Sequence, residues 1–240
     1  MTQSLNDNFV SKIIYLEQNA VRKRPFSNLN PFKVGDIKNL IEIQKAAHKL
    51  AKHIGLDHLT FVVNYSDLGN NIGGNIELDN DDCVLINISK AILAFQECVL
   101  ATLAHEIAHK YLHINKLAFT DNYENEIFTD LTAIYLGFGK IMLNGRYVEK
   151  TTEGYNYTHT RSQEVGYINM SQITFIYLTL NILYNTNPVS AIWNISPSDM
   201  SNMLGIRINY RIYCSTIIRY NNNTPVKFNN DFNNYMFIKN

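Results

Sequence analysis

Two histidines four residues apart, His105 and His109, constrain this chain more than any other feature, because Glu106 stands between them and an apolar run leads into them. Residues i and i+4 share one face of a helix, about 6 Å apart along the axis, so both imidazoles can converge on one ion. Glu106 lies one position further round, beside such an ion rather than on it, where a carboxylate can take a proton from a bound water. The spacing therefore predicts a helix through this segment with a metal on its surface. Upstream, residues 91–104 read as an apolar helix, with Ser89 as N-cap and Ala94, Cys98 and Ala101 on the face leading to His105. A histidine pair on a solvent-facing helix would not have such a run behind it.

A tetrahedral zinc site that activates water usually takes three protein ligands, so the sequence must offer a third. His113 follows His109 by four residues. On a straight helix it would lie about 12 Å along the axis from His105, too far to share the ion. Nor does a Gly-containing turn with a histidine six residues after His109 follow the pair. His113 is therefore expected beside the site or on the surface.

Glu126, seventeen positions after His109, is the better third ligand. It falls on a second predicted helix opened by Thr120 and Asp121, where Asp121 and Glu124 have capping-box spacing and leave Glu126 free. Ile127, Leu131, Ile134 and Phe138 form the core-facing stripe of this helix. A second stripe, Glu126, Asp130, Ala133 and Gly137, is acidic and then small, as expected where one helix packs closely on another. Asp130 is placed to accept a hydrogen bond from the non-ligating nitrogen of a metal-bound histidine and fix its tautomer. A solvated acidic face, the competing reading, would not continue as Ala133 and Gly137 in an apolar helix.

The pattern His105-Glu106-x-x-His109 followed by Glu126-x-x-x-Asp130 resembles the gluzincin branch of zinc metallopeptidases, typified by thermolysin. The resemblance covers about residues 36–145. It implies one Zn2+ held by His105, His109 and Glu126, with Glu106 as general base, Asp130 orienting a histidine, and a peptide or protein as substrate. The longer string from His105 to His113 also resembles small intracellular metallopeptidases that cleave phage-type repressors, although Thr129 stands where those enzymes carry alanine. In zincins of this type the strand two elements before the metal helix is often the sheet edge beside the cleft, where an extended peptide can pair. Residues 75–79, with Asn75, Ile76, Glu77 and Leu78, are the counterpart here. An ordinary hairpin strand is the equal alternative.

The order of elements before the motif suits that family. Residues 36–54 are helical by period, with Ile37, Leu40, Ile41, Ile43, Ala47 and Leu50 on one face and Gly55 as the stop. Residues 61–65 read as a strand, 75–79 as a second and 83–88 as a third, separated by Gly, Asn and Asp. The expected fold is α+β and zincin-like, with a small mixed or antiparallel sheet, a metal-binding helix, a glutamate helix and a helical C-terminal extension. Residues 1–32 read as an N-terminal extension, 33–145 as the catalytic core, 146–220 as a mainly helical part completing the cleft, and 221–240 as an Asn-rich tail.

With 240 residues, 46% of them hydrophobic, the chain can bury a substantial core. Basic and acidic residues balance at 21 each, so no overall field draws it to nucleic acid or membrane, and Arg22-Lys23-Arg24 reads as a solvated linker. Cys83, Cys98 and Cys214 form no CxxC pair, and residues 1–10 lack the pattern of a signal peptide, which together predict a cytoplasmic setting. Residues 173–184 are the most lipid-like stretch but are short and interrupted by Thr174, Thr179 and Asn181, so a buried helix and no membrane span is expected. A further helix is expected within 197–219, opened by Ser196.

For the oxyanion of a hydrolytic reaction, residues 155–161 read as a loop rich in hydrogen-bond donors, with His159 the first choice. Two other classes compete with a zinc peptidase. One is a zincin-like binding or regulatory protein that holds metal and cleaves little or nothing, motivated by the lack of a clear oxyanion donor. The other is a structural helical domain without metal.

Overall fold

A computed structural model describes residues 3–21, 25–69, 72–79, 82–154 and 157–196 of the chain. Within them lies a mixed α+β fold, with one three-stranded sheet, one two-stranded sheet and helices between and around them. Helix α1, Gln3–Asn19, packs its apolar face into the core. Phe9, Val10, Ile13 and Leu16 recur at helical spacing and are all buried. Lys12 Nζ reaches Glu124 at 2.9 Å, which ties α1 to the helix carrying Glu126.

Helix α2, Leu40–His53, starts four residues later than its apolar period suggests. Asp36 takes the backbone N–H of Lys38 into a turn of its own, and the Asn39 side chain caps α2 by accepting from Ile41 N. Leu40 and Ile41 are consequently exposed, and the buried face narrows to Ile43, Ala46, Ala47, Leu50 and Ala51. Gly55, with φ of 78°, ends the segment where expected.

Strands β1 (Thr60–Ser66), β2 (Gly74–Ile76) and β3 (Cys83–Ser89) form a sheet in the order β1-β3-β2. β1 and β3 run parallel, with Phe61 opposite Val84 and Val63 opposite Ile86, and β2 runs antiparallel to β3. The alternating apolar residues Phe61, Val63, Val84, Ile86 and Ile88 face the helices and are buried. β2 is shorter than the expected 75–79. Its pairing ends with Glu77 N on Leu85 O, and the Leu78 carbonyl turns to accept from the buried Lys110 Nζ at 2.8 Å.

The Ser89 side chain caps only a 3-10 turn, Lys90–Ile92, and the chain restarts as helix α3, Gln96–Asn115, behind Phe95. The single apolar helix expected from residue 91 is thus a turn followed by a helix. Every residue of α3 from Cys98 to Ala108 is buried, which makes it the central helix of the fold. Helix α4, Asn122–Ala133, is capped by Asp121, whose side chain accepts from Glu124 N at 2.8 Å.

A π-helical turn, Ile134–Phe138, follows α4, and Gly137 within it has φ of 95°. A Cβ there would lie 2.1 Å from Ser27 O. Gly137 was expected to pack α4 against the histidine helix. It instead ends the acidic stripe and brings the backbone against residues 27–29, where its carbonyl accepts from Leu29 N. Helix α5, Gly139–Arg146, then packs on α3.

The part expected to be mainly helical begins with a hairpin, β4 (Tyr147–Gly154) and β5 (Tyr157–Glu164). Its described residues are mostly exposed on both faces, so no period-two apolar pattern marked it in the sequence. Helix α6, Met170–Leu183, opens with a capping box between Asn169 and Gln172 and buries Ile173, Ile176, Tyr177 and Leu180. Helix α7, Pro188–Ile192, is capped by Asn187. Among the described residues no helix is long and apolar enough to cross a membrane. The helix expected within 197–219, the tail 221–240, Cys214 and the basic residues 22–24 lie outside the described residues.

Candidate metal centre

Helices α3 and α4 pack side by side, and the predicted donors meet between them. His105 Nε2 and His109 Nε2 lie 3.0 Å apart, and Glu126 Oε2 lies 3.0 Å from the first and 3.2 Å from the second. Among the described residues this is the cluster of three donor side chains able to hold a metal ion.

Hydrogen bonds behind the rings decide what these distances mean. His105 Nδ1 donates to Asp130 Oδ1 at 2.8 Å. His109 Nδ1 lies 3.1 Å from Thr129 Oγ1, whose own hydrogen goes to Asn125 O at 2.8 Å. The threonine oxygen can therefore only accept, so both Nδ1 atoms carry hydrogen and both Nε2 atoms face the same carboxylate oxygen. Two Nε2 atoms and a carboxylate oxygen this close draw positive charge between them, a proton or a metal ion. His105, His109 and Glu126 together would hold a divalent cation between the two helices. Two imidazoles and one carboxylate are a donor set that suits zinc.

Without metal, the same demand appears in the proton affinities. Burial works against charge on His105, yet hydrogen bonds to Asp130 and Glu126 outweigh it and raise its pKa to about 10. Burial would raise Glu126, but hydrogen bonds from the two histidines prevail and hold it down to about 2. The site thus gathers positive charge between the rings and keeps the glutamate ionised.

Asp130 is fully buried and anchored twice more. Its Oδ2 accepts from the backbone N–H of Tyr167 at 2.5 Å and of Ile168 at 3.0 Å. That anchor fixes the 165–168 segment over the site, and Arg146 holds the same segment from behind. Its Nη1 donates to Val165 O, its Nε to Ile168 O, and its Nη2 pairs with Glu164. The Tyr167 ring consequently stacks on His105, with centroids 5.8 Å apart.

A cleft of about 820 Å³ opens over the donors. Glu106 lines it and is only 4% exposed. Burial raises the pKa of its carboxyl, against the lowering influence of His105 and His109. Glycine at position 74 makes room for it, since a Cβ there would stand 3.0 Å from Glu106 Oε1 and 2.7 Å from Thr102 Cγ2. On this side the wall is β2, the edge strand of the sheet, with Asn75, Ile76 and Leu78 lining the cleft and Glu77 exposed outside it.

His113 is exposed at the end of α3, on the surface as expected, whereas one expectation falls elsewhere. His159 lies on β5 rather than in a loop, exposed to solvent, with Arg161 Nε donating to its Nε2, and it is not among the residues lining the cleft. The group that does stand over the donors is Tyr167, whose pKa is raised by burial and by the charges of Glu126, Glu106 and Asp130. Nothing local in the sequence marks Tyr167, because a fold contact across 37 residues places it there. Thr129 was legible in principle. It lies three residues after Glu126 and beside Asp130, on the face of α4 that meets the histidines.

Compared with models of known protein families, with curated proteins and with solved structures, the chain matches none.

Proposed function

We propose that this protein is a zinc-dependent peptidase of zincin-like fold. The reading rests on one observation: the Nε2 atoms of His105 and His109 and Oε2 of Glu126 lie within 3.2 Å of one another while both Nδ1 atoms are occupied. Zinc held by these three groups supplies a Lewis acid for the scissile carbonyl and brings the pKa of its water to about 7.

The chain's own residues supply the rest. Glu106 takes a proton from the attacking water as its oxygen adds to the carbonyl carbon. It delivers that proton to the leaving nitrogen as the C–N bond breaks, and the second proton of the water passes from the new acid to the released amine or solvent, leaving one carboxylate and one ammonium. Tyr167 keeps its hydroxyl proton and offers it to the oxyanion, the role expected of His159 from the sequence. The exposed edge of β2 gives an extended peptide backbone a strand to pair with.

Glu106→Gln tests the mechanism. The variant is expected to retain one zinc per chain and to lose at least about 100-fold in peptide hydrolysis, the lower range for a general base. Retained zinc with an unchanged rate defeats it. One observation favours a second reading, a zincin-like protein that binds rather than cleaves: His159, the residue expected to stabilise an oxyanion, lies outside the cleft. Cleavage of a peptide library by the zinc-loaded protein, abolished by chelator, decides for the peptidase; binding without cleavage decides for the alternative.

A further inference from the structure

We propose that the Thr102 hydroxyl reads the ligand side chain entering the cleft beside Glu106, and that it selects an uncharged side chain with a hydrogen-bonding tip. The inference rests on the peptidase reading and concerns its specificity.

Thr102 lies on α3 one turn before Glu106, is 5% exposed, and lines the cleft. Its Oγ1 has no hydrogen-bond partner. Helical threonines commonly return the hydroxyl to the carbonyl four residues back, as Thr129, Thr132 and Thr174 do here at 2.7 to 2.8 Å. Thr102 does not. Its oxygen is turned toward the residue preceding β2, where a Cβ at Gly73 would lie 2.9 Å from it. Glycine at position 73 thus keeps any side chain off the hydroxyl, and both residues line the cleft. Thr179 also has an unpartnered hydroxyl, but it is buried away from the cleft.

A buried hydroxyl left without a partner is costly, so its occupant is expected to carry one. Ala91, Ile92, Ala101 and Met142 line the same cleft and offer no hydrogen bond in its place. An apolar tip would leave the hydroxyl unpaired, and sites with a buried polar group discriminate strongly on that ground. Charge sets the second condition. Glu106, Glu126 and Asp130 all line the cleft, whereas the guanidinium of Arg146 is already engaged by Glu164. A carboxylate is therefore disfavoured, and an amide or hydroxyl tip fits.

The test compares two hydroxamates that share a zinc-binding group and have side chains of equal shape, N-acetyl-asparagine hydroxamate and N-acetyl-leucine hydroxamate. Binding is measured by calorimetry on the full chain after zinc loading. The wild type is expected to favour the asparagine compound about tenfold, in keeping with one neutral hydrogen bond. Thr102→Val should abolish the preference and Thr102→Ser should keep it. Equal binding of the two compounds by the zinc-loaded wild type overturns the inference and leaves the peptidase reading standing. A preference that survives Thr102→Val, or tighter binding of the aspartate hydroxamate than of the asparagine one, also overturns it. Failure to take up zinc overturns the peptidase reading and this inference together. Should the valine variant not fold, the wild-type and serine ratios still decide.

Discussion

Asp130→Asn separates the tautomer argument from mere structural support. Asp130 accepts three hydrogen bonds, one from His105 Nδ1 and two from the backbone of residues 167 and 168. Asparagine has one oxygen and one amide nitrogen to fill those places. If the oxygen faced His105, the amide nitrogen would confront two buried N–H groups, leaving both unpaired at about 1–3 kcal/mol each. The opposite orientation keeps the two backbone bonds and turns the amide donor toward His105 Nδ1, so the cost to stability is only about 1–2 kcal/mol. The imidazole must then move its hydrogen to Nε2, the atom that faces Glu126 and His109. Zinc affinity is expected to fall by about 10- to 100-fold, the usual effect of losing a partner behind a ligating histidine. Competition with a chromophoric chelator reads the affinity, and thermal unfolding in EDTA reads the stability, at about 2–4 °C per kcal/mol for a chain of this size. An Asn variant that binds zinc within twofold of the wild type would refute the tautomer reasoning. Alanine at the same place is less informative. It strands three buried donors, a loss of about 3–9 kcal/mol that approaches the whole stability of a typical domain.

Thr129→Val removes the acceptor for His109 Nδ1 without changing the shape of the side chain, and is expected to weaken zinc binding about 10-fold while Thr129→Ser restores it. Unchanged affinity in the valine variant, measured by the same chelator competition, counts against Thr129 as an orienting group. Gly137→Ala forces a side chain into the left-handed region and onto Ser27 O, so chemical denaturation should show a loss of more than about 1 kcal/mol; a neutral result would mean the π turn has another conformation open to it.

How much of this was legible in the sequence varies with how local the cause is. His105, His109, Glu126 and Asp130 were read from helical spacing alone, because two helices with fixed periodicity leave few ways to bring four side chains together. The strands β1 and β3 were equally plain, since each buries one face and alternates accordingly. The hairpin 147–164 was read as loop and helix because most of its described residues are exposed on both faces and carry no burial pattern. The start of α2 was misplaced for a different reason: Ile37 continues the apolar period, but Asp36 and Asn39 compete for the backbone and win. Tyr167 could not be read at all. Its place over His105 depends on a carboxylate in α4 and a guanidinium in α5 gripping the same short segment.

The donors and the groups behind their rings all fall within residues 105–130, whereas the partners that lock Asp130 arrive only at 167 and 168. Closing so short a stretch of chain is entropically cheap and fast compared with recruiting the later segment. A nascent polypeptide emerging from the ribosome therefore gathers its paired imidazoles and their glutamate first, and the aromatic roof that carries Tyr167 is laid on an already assembled floor.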